Sequence, residues 1–229
     1  MNTLQDPNTA ALLAAQAKAD ALFKAVTEVG LIRPGVLESE LSAQINVLAR
    51  KHFGVTRHWH KRIVRCGPNT LLTYFDDAPD LAVAADDTVF MDFGPLFDQW
   101  EADYGRTYVV GHDPDKHRLV ADIEAAFRDG KAFFERTPGL TAGALYDFVQ
   151  ERARQCGWEF GAPMAGHLVG HFPHETAPGK DKPFVIRHGN PQDLREPDAR
   201  GMRRHWILEI HFVDRARKFG GFFEQLLTT

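Results

Sequence analysis

Two apolar, strand-like phrases of this chain carry a carboxylate in their middle: Asp92 within VFMDFG and Glu209 within WILEIHFV. A charge placed in such a run is costly unless something compensates it. In each case a second acid follows on the returning strand, Asp103 in ADYGRTYVV and Glu224 in GGFFEQLL. Residues on adjacent strands face one another across the ladder, so each hairpin offers a carboxylate pair. Taken singly, a strand Asp can cap a turn, and Glu224 can face water. Four acids in matching elements of two hairpins are a different matter, because brought together they repel, and cations are the simplest remedy. Two divalent ions balance four carboxylates. The stretch GHLVGHFPHE adds His167, His171 and His174, the densest histidine cluster in the chain. Imidazole beside carboxylate suits Mn, Fe, Co or Zn. Only Cys66 and Cys156 are present, outside any C-x-x-C spacing, which argues against a zinc–thiolate site or a disulfide framework and fits a reducing compartment.

These acids need a scaffold, and the periodicity supplies one. Leu12, Leu13, Ala15, Ala19, Leu22, Phe23 and Val26 recur at helical steps, predicting a helix from Thr9 to about Val29 that ends near Gly30. A second helix is predicted from Leu37 to Phe53, closed by Gly54. Strands follow at Arg62 to Cys66, Thr88 to Gly94 and Tyr104 to Gly111, rich in Val, Phe, Tyr and Thr. The pattern then restarts, with helices over Asp115 to Arg136 and Ala142 to Cys156, a short apolar stretch around Met164 to Gly170, and a Pro/Gly/Asp-rich loop through residues 176 to 201. Strands His205 to Val213 and Phe222 to Thr228 close the chain. Both halves run helix, helix, strand, hairpin, and RPGVLESEL and TPGLTAGAL precede corresponding helices, which suggests an internal duplication in an α+β fold.

At 229 residues and 44% hydrophobic content the chain can bury one substantial core. Its 27 basic and 31 acidic residues are mixed, with no basic stripe to track a phosphate backbone, so nucleic acid is not an expected partner. No leader-like segment and no apolar run near the roughly 20 residues of a membrane span is evident, and a soluble, cytoplasmic protein is expected.

From about residue 10 to residue 229 these motifs resemble the M24 metallopeptidases, a family that includes aminopeptidase P and prolidase. The resemblance implies the pita-bread fold, with two pseudo-symmetric halves, about 9–111 and 114–229, around a curved antiparallel sheet. It also implies one catalytic domain over residues 1–229 without a preceding creatinase-type domain. The family's Asp pair and following Arg-Thr are matched by Asp92, Asp103, Arg106 and Thr107 in MDFG and ADYGRT. GHLVGHFPHE matches its G-H-x-x-G-x-x-x-H-[ED] segment, which makes His167 a metal ligand and His174 a residue beside the substrate. Glu209 and Glu224 match the remaining ligands, Glu224 the bridging one. The same resemblance implies a pair of divalent ions, Mn or else Co, Fe or Zn, roughly 3.5–4 Å apart and sharing a water that attacks an amide carbon. In it Glu209 doubles as proton acceptor and His174 hydrogen-bonds the substrate or oxyanion; His171, where the family often has a small or apolar residue, and Tyr74 are candidate substrate contacts.

Departures from the pattern bear on the substrate. Aminopeptidase P carries a histidine just before a Tyr, where GPNTLLTYFDD has Thr73 before Tyr74; His58 or His60 of RHWHKR are candidates to stand in. The family's Glu-Pro step is Glu209-Ile210, and its Arg-Ile is Phe222-Phe223. The reading is an Xaa-Pro aminopeptidase-like hydrolase acting on a short peptide or small-molecule amide. A specialised small-molecule hydrolase or lyase is the second reading. A non-catalytic binding module is the third, although the usual sign of that fate, loss of ligands, is missing. Exposed apolar surface on a one-domain version of the fold would favour a homodimer.

Overall fold

A computed structural model describes residues 7–176 and 183–228. Part of the Pro/Gly/Asp-rich loop, residues 177–182, therefore lies outside the described residues, as do the first six residues and the last. Helix α1 (Pro7–Glu28) turns Leu12, Ala15, Ala19, Leu22, Phe23 and Val26 inward at the predicted spacing. Helix α2 (Glu38–Phe53) stops at Gly54, whose φ of 68° reverses the chain while its N–H donates to the Ala49 carbonyl. The second pair repeats this with side-chain caps. The Asp113 carboxylate accepts from the first turn of α3 (Pro114–Arg136), and the Thr141 hydroxyl from that of α4 (Ala142–Gln155).

Strands β1 (Ile63–Cys66), β2 (Thr88–Phe93), β5 (Tyr104–Val109), β8 (His205–Asp214) and β9 (Phe219–Leu226) form most of an antiparallel sheet of order β1-β2-β5-β9-β8. Two short strands, β6 (Glu159–Phe160) and β7 (Leu168–Val169), both pair with β8. A separate small hairpin joins β3 (Leu96–Phe97) to β4 (Trp100–Glu101).

Alternation along the strands sorts side chains to two faces. Val89, Met91 and Phe93 of β2 pack with α1 and α2, while Leu208, Ile210 and Phe212 of β8 pack with α3 and α4. The intervening positions, Phe90 and Asp92, Glu209 and His211, therefore point to the face opposite the helices. The two helix pairs thus cover one face of the sheet, and the predicted acids stand on the other.

The two halves meet where β5 runs beside β9, with Gly105 opposite Glu224. Side chains reinforce this junction. The Arg106 guanidinium lies between the Tyr104 ring at 3.7 Å and the Phe223 ring at 3.8 Å, and donates to the Glu224 carbonyl and the Gln225 side chain. The Thr107 hydroxyl donates to Phe222 O and accepts from Phe222 N.

Three features differ from the sequence expectation. The β3–β4 hairpin went unread because its turn, Asp98-Gln99, takes positive φ at both positions (52° and 68°) without the Asn-Gly that usually marks such a turn. Strands β6 and β7 are too short for an alternating pattern. Strand β9 begins at Phe219 rather than Phe222, since Gly220-Gly221 reads as a break; a Cβ on Gly220 would lie 2.7 Å from the Thr70 carbonyl, so close backbone approach requires glycine there.

Candidate metal centre

Asp92 leaves β2 on the helix-free face, Asp103 directly precedes β5, and Glu209 and Glu224 sit opposite each other in the β8–β9 register. His167 directly precedes β7. The five predicted ligands converge at a cavity of about 620 Å³, and all five contribute to its lining. A sixth group joins them. His60 Nε2 is 3.1 Å from Asp103 Oδ1 and 3.6 Å from Asp92 Oδ1. His167 Nε2 is 3.4 Å from Asp103 Oδ2 and 3.7 Å from Glu209 Oε1.

The electrostatics are those of crowded acids removed from water. Burial raises the proton affinity of Glu224 well above the ordinary carboxylate range, and the charges of Asp103, Asp92 and Glu209 add to it. Burial also raises Asp92 and Glu209, against the pull of His60 on the first and of His167 on the second. Asp103 goes the other way: burial opposes its charge, but His60 and His167 outweigh that and hold it below the usual range. Among the described residues, Asp92 Oδ1 and Glu224 Oε2 are buried without a hydrogen-bond partner. Such orphaned oxygens are expensive, and a bound cation would satisfy them.

The donors fit divalent first-row ions. Bonds of about 2.0–2.2 Å place neighbouring ligand atoms roughly 3–3.5 Å apart, close to the separations seen here. All donors are nitrogen or oxygen; Cys66 is buried elsewhere and Cys156 packs beside the α3–α4 core.

Around this centre stand groups that sequence reasoning did not single out. Glu101, almost fully buried, accepts from His174 Nδ1 at 2.9 Å and from the Gly170 backbone N–H at 2.8 Å, which fixes the His174 ring. The Trp59 indole donates to the Ala102 carbonyl and stands edge-on to His60, His167 and His174 at 4.5, 5.5 and 5.4 Å. Ile63, Phe90 and Phe222 form an apolar wall. For Glu101 the available signal was its place two residues before Asp103; for Trp59 it was its place between two histidines.

The remaining predicted residues divide. Tyr74 lines the cavity, with its ring 5.9 Å from His60 and the Lys61 ammonium 4.4 Å from its centroid. Thr73 lines it too, its hydroxyl bound to Asp76 at 2.7 Å. His171 is exposed against Trp100 and is not among the cavity-lining residues. His58 packs on Phe93 away from the cavity; burial, then the charges of Arg62 and His60, push its pKa down to about 4.

A helix-backed antiparallel sheet with two repeated halves and an acid-lined cavity on its free face is the pita-bread fold. It superimposes on an X-Pro aminopeptidase from Thermotoga maritima with a TM-score of 0.76 at 22% identity, over 97% of this chain and 61% of that one. For an Xaa-Pro dipeptidase from Bacillus anthracis the TM-score is 0.75 at 24% identity, over 98% and 61%. The model of metallopeptidase family M24 matches residues 10–214, and the chain belongs to that family. An Xaa-Pro dipeptidase of Lactobacillus helveticus is 27% identical over 165 residues, which is 72% of this chain and 44% of that protein. One of Pyrococcus furiosus is 29% identical over 147 residues, 63% and 41%. The chain thus aligns with less than half the length of these relatives. Among the described residues no helix is long and apolar enough to cross a membrane.

Proposed function

We propose that this chain is a dinuclear metal-dependent hydrolase that cleaves the amide C–N bond of short Xaa-Pro peptides, residues 1–229 acting as one catalytic unit. The observation that carries this reading is the convergence of Asp92, Asp103, His167, Glu209 and Glu224, two of them with orphaned buried oxygens, on one cavity. These five would hold two divalent ions, with Mn, Co, Fe and Zn all suited to the donor set. Bound there, the ions supply Lewis-acid polarisation of the carbonyl and a water of lowered pKa.

The chain's own residues do the rest. Glu209 lies at the cavity with a raised proton affinity, which suits a group that takes a proton from water and returns it to the departing amine. His174, with Nδ1 engaged by Glu101, has Nε2 left for the substrate: an acceptor when the ring is neutral, a donor to the oxyanion when it is protonated. The wall of Ile63, Phe90 and Phe222 fits a prolyl ring, and Tyr74 flanks the same space.

One observation favours a second reading. Thr73 occupies the place before Tyr74 and is tied to Asp76, so the position offers no imidazole for proton transfer, and a specialised small-molecule amide becomes an alternative substrate. Protein loaded in turn with Mn2+, Co2+ and Zn2+ is to be assayed on Xaa-Pro dipeptides and tripeptides beside non-peptide amides. Hydrolysis of the peptides is expected. Turnover of the other amides alone selects the second reading, and no turnover with two ions bound rejects both.

Glu101→Gln tests the His174 role. With the ring no longer held by a carboxylate, kcat should fall about 10–100-fold at unchanged metal content. An unchanged kcat would remove His174 orientation from the mechanism.

A further inference from the structure

Resting on the metal-centre reading above, we propose that His60 is a sixth protein ligand, so that each of the two ion positions has its own imidazole. Its Nδ1 lies 2.7 Å from the Lys61 carbonyl. A carbonyl only accepts, so Nδ1 carries the proton, and in the neutral ring Nε2 presents a lone pair. That lone pair is aimed between Asp103 Oδ1 and Asp92 Oδ1.

His167 repeats this arrangement. Its Nδ1 is 2.7 Å from the Leu168 carbonyl, also the carbonyl of the following residue, and its Nε2 faces Asp103 Oδ2 and Glu209 Oε1. The two rings thus address different oxygens of the same aspartate, each with one further carboxylate from its own half. His60 lies in the segment that leads into β1, and that segment runs beside β2, with Trp59 N–H donating to the Gly94 carbonyl. His167 leads into β7 beside β8, with Ile207 N–H donating to the His167 carbonyl. Asp92 corresponds to Glu209 and Asp103 to Glu224, whereas His60 stands beside the residue two after Asp92 and His167 beside the residue two before Glu209, so the two rings reach the centre from different places in the two halves.

The position is also built to hold a ring. A Cβ on Gly94 would lie 2.2 Å from His60 Cδ2, so glycine at the end of MDFG makes room for the imidazole. The anchored Trp59 indole closes on it from the side, and the His60 side chain is only 9% exposed. A counter-ion for the carboxylates would satisfy the same contacts with a proton on Nε2, and the experiment must separate these two roles.

Protein loaded with two Co2+ per chain should show two strongly shifted, solvent-exchangeable ring N–H resonances by proton NMR, from Nδ1–H of His60 and of His167. His60→Gln should leave one, and should weaken binding of one Co2+ at least about tenfold by calorimetric titration. A single such resonance in the fully loaded wild type, or both persisting in His60→Gln, overturns the proposal while leaving the five-ligand centre standing. Wild-type protein that binds no Co2+ overturns the centre and this extension together. The wild-type count needs no variant, so it decides the matter even if His60→Gln fails to fold.

Discussion

Asp103→Asn is expected to strip both ions from the protein and to lower kcat/KM at least about a thousandfold, about 4 kcal/mol of transition-state stabilisation. Among the described residues Asp103 is the carboxylate whose two oxygens face two different imidazoles, Oδ1 toward His60 and Oδ2 toward His167. It is also nearly fully buried and held ionised by those rings. An amide keeps the shape but offers one weaker oxygen and turns an N–H toward the other position. Asp92→Asn, which touches the His60 side alone, should lower the affinity for one ion and spare the other. Elemental analysis after dialysis, beside kinetics on the same samples, reads both outcomes. Two ions retained by Asp103→Asn would remove the shared-carboxylate description.

Without metal, the protein should lose stability as pH rises from 6.5 to 9, its Tm falling by at least about 5 °C, and saturating metal should abolish the fall. Burial opposes charge on His60, but Asp103 and Asp92 outweigh it and raise the ring's pKa to about 9, against an ordinary value of 6.5. His167 is raised to about 9 in the same way by Asp103 and Glu209. A base whose folded pKa is raised contributes stability that is complete below its unfolded pKa and is lost as pH climbs through the folded one. Glu209 and Glu224 act in the same direction, since their folded forms keep protons that the unfolded chain has released. Asp103 has the opposite sign, with stability present above its ordinary range and lost as pH falls toward about 2, outside this window. Metal displaces these protons, so the rise in Tm on adding metal should grow with pH. A metal-free Tm that is flat or climbs between pH 6.5 and 9, followed by calorimetry, would contradict this account.

Much of this arrangement is legible in the residues themselves, for identifiable reasons. Asp92 and Glu209 each interrupt an apolar strand, an anomaly that needs no partner to be noticed. The helices announce themselves through periodicity and through glycines such as Gly54, whose left-handed conformation ends α2. His60 is harder. RHWHKR reads as an exposed basic cluster in which His58 and His60 look alike, and only the pairing of Trp59 with Gly94, thirty-five residues away, sends one ring to the cavity and the other onto Phe93. Glu101 is hidden for the same reason, since it reaches His174 by way of a hairpin whose turn lacks the usual residues. The fold is written in local patterns, whereas the positioning groups depend on long-range register.

The junction between the halves gives the centre a mechanical side. Beyond the pairing of Gly105 with Glu224, it is held by the stacked Arg106 guanidinium, the Thr107 hydroxyl, hydrogen bonds from Gly220 N–H and His211 to Thr70, and those that Glu101 accepts from Gly170 and His174. Asp92 and Asp103 come from one side of that boundary, and His167, Glu209 and Glu224 from the other. A cation bound to both sets would be a clasp across the molecule, and its binding free energy would at the same time be adhesion between the two halves.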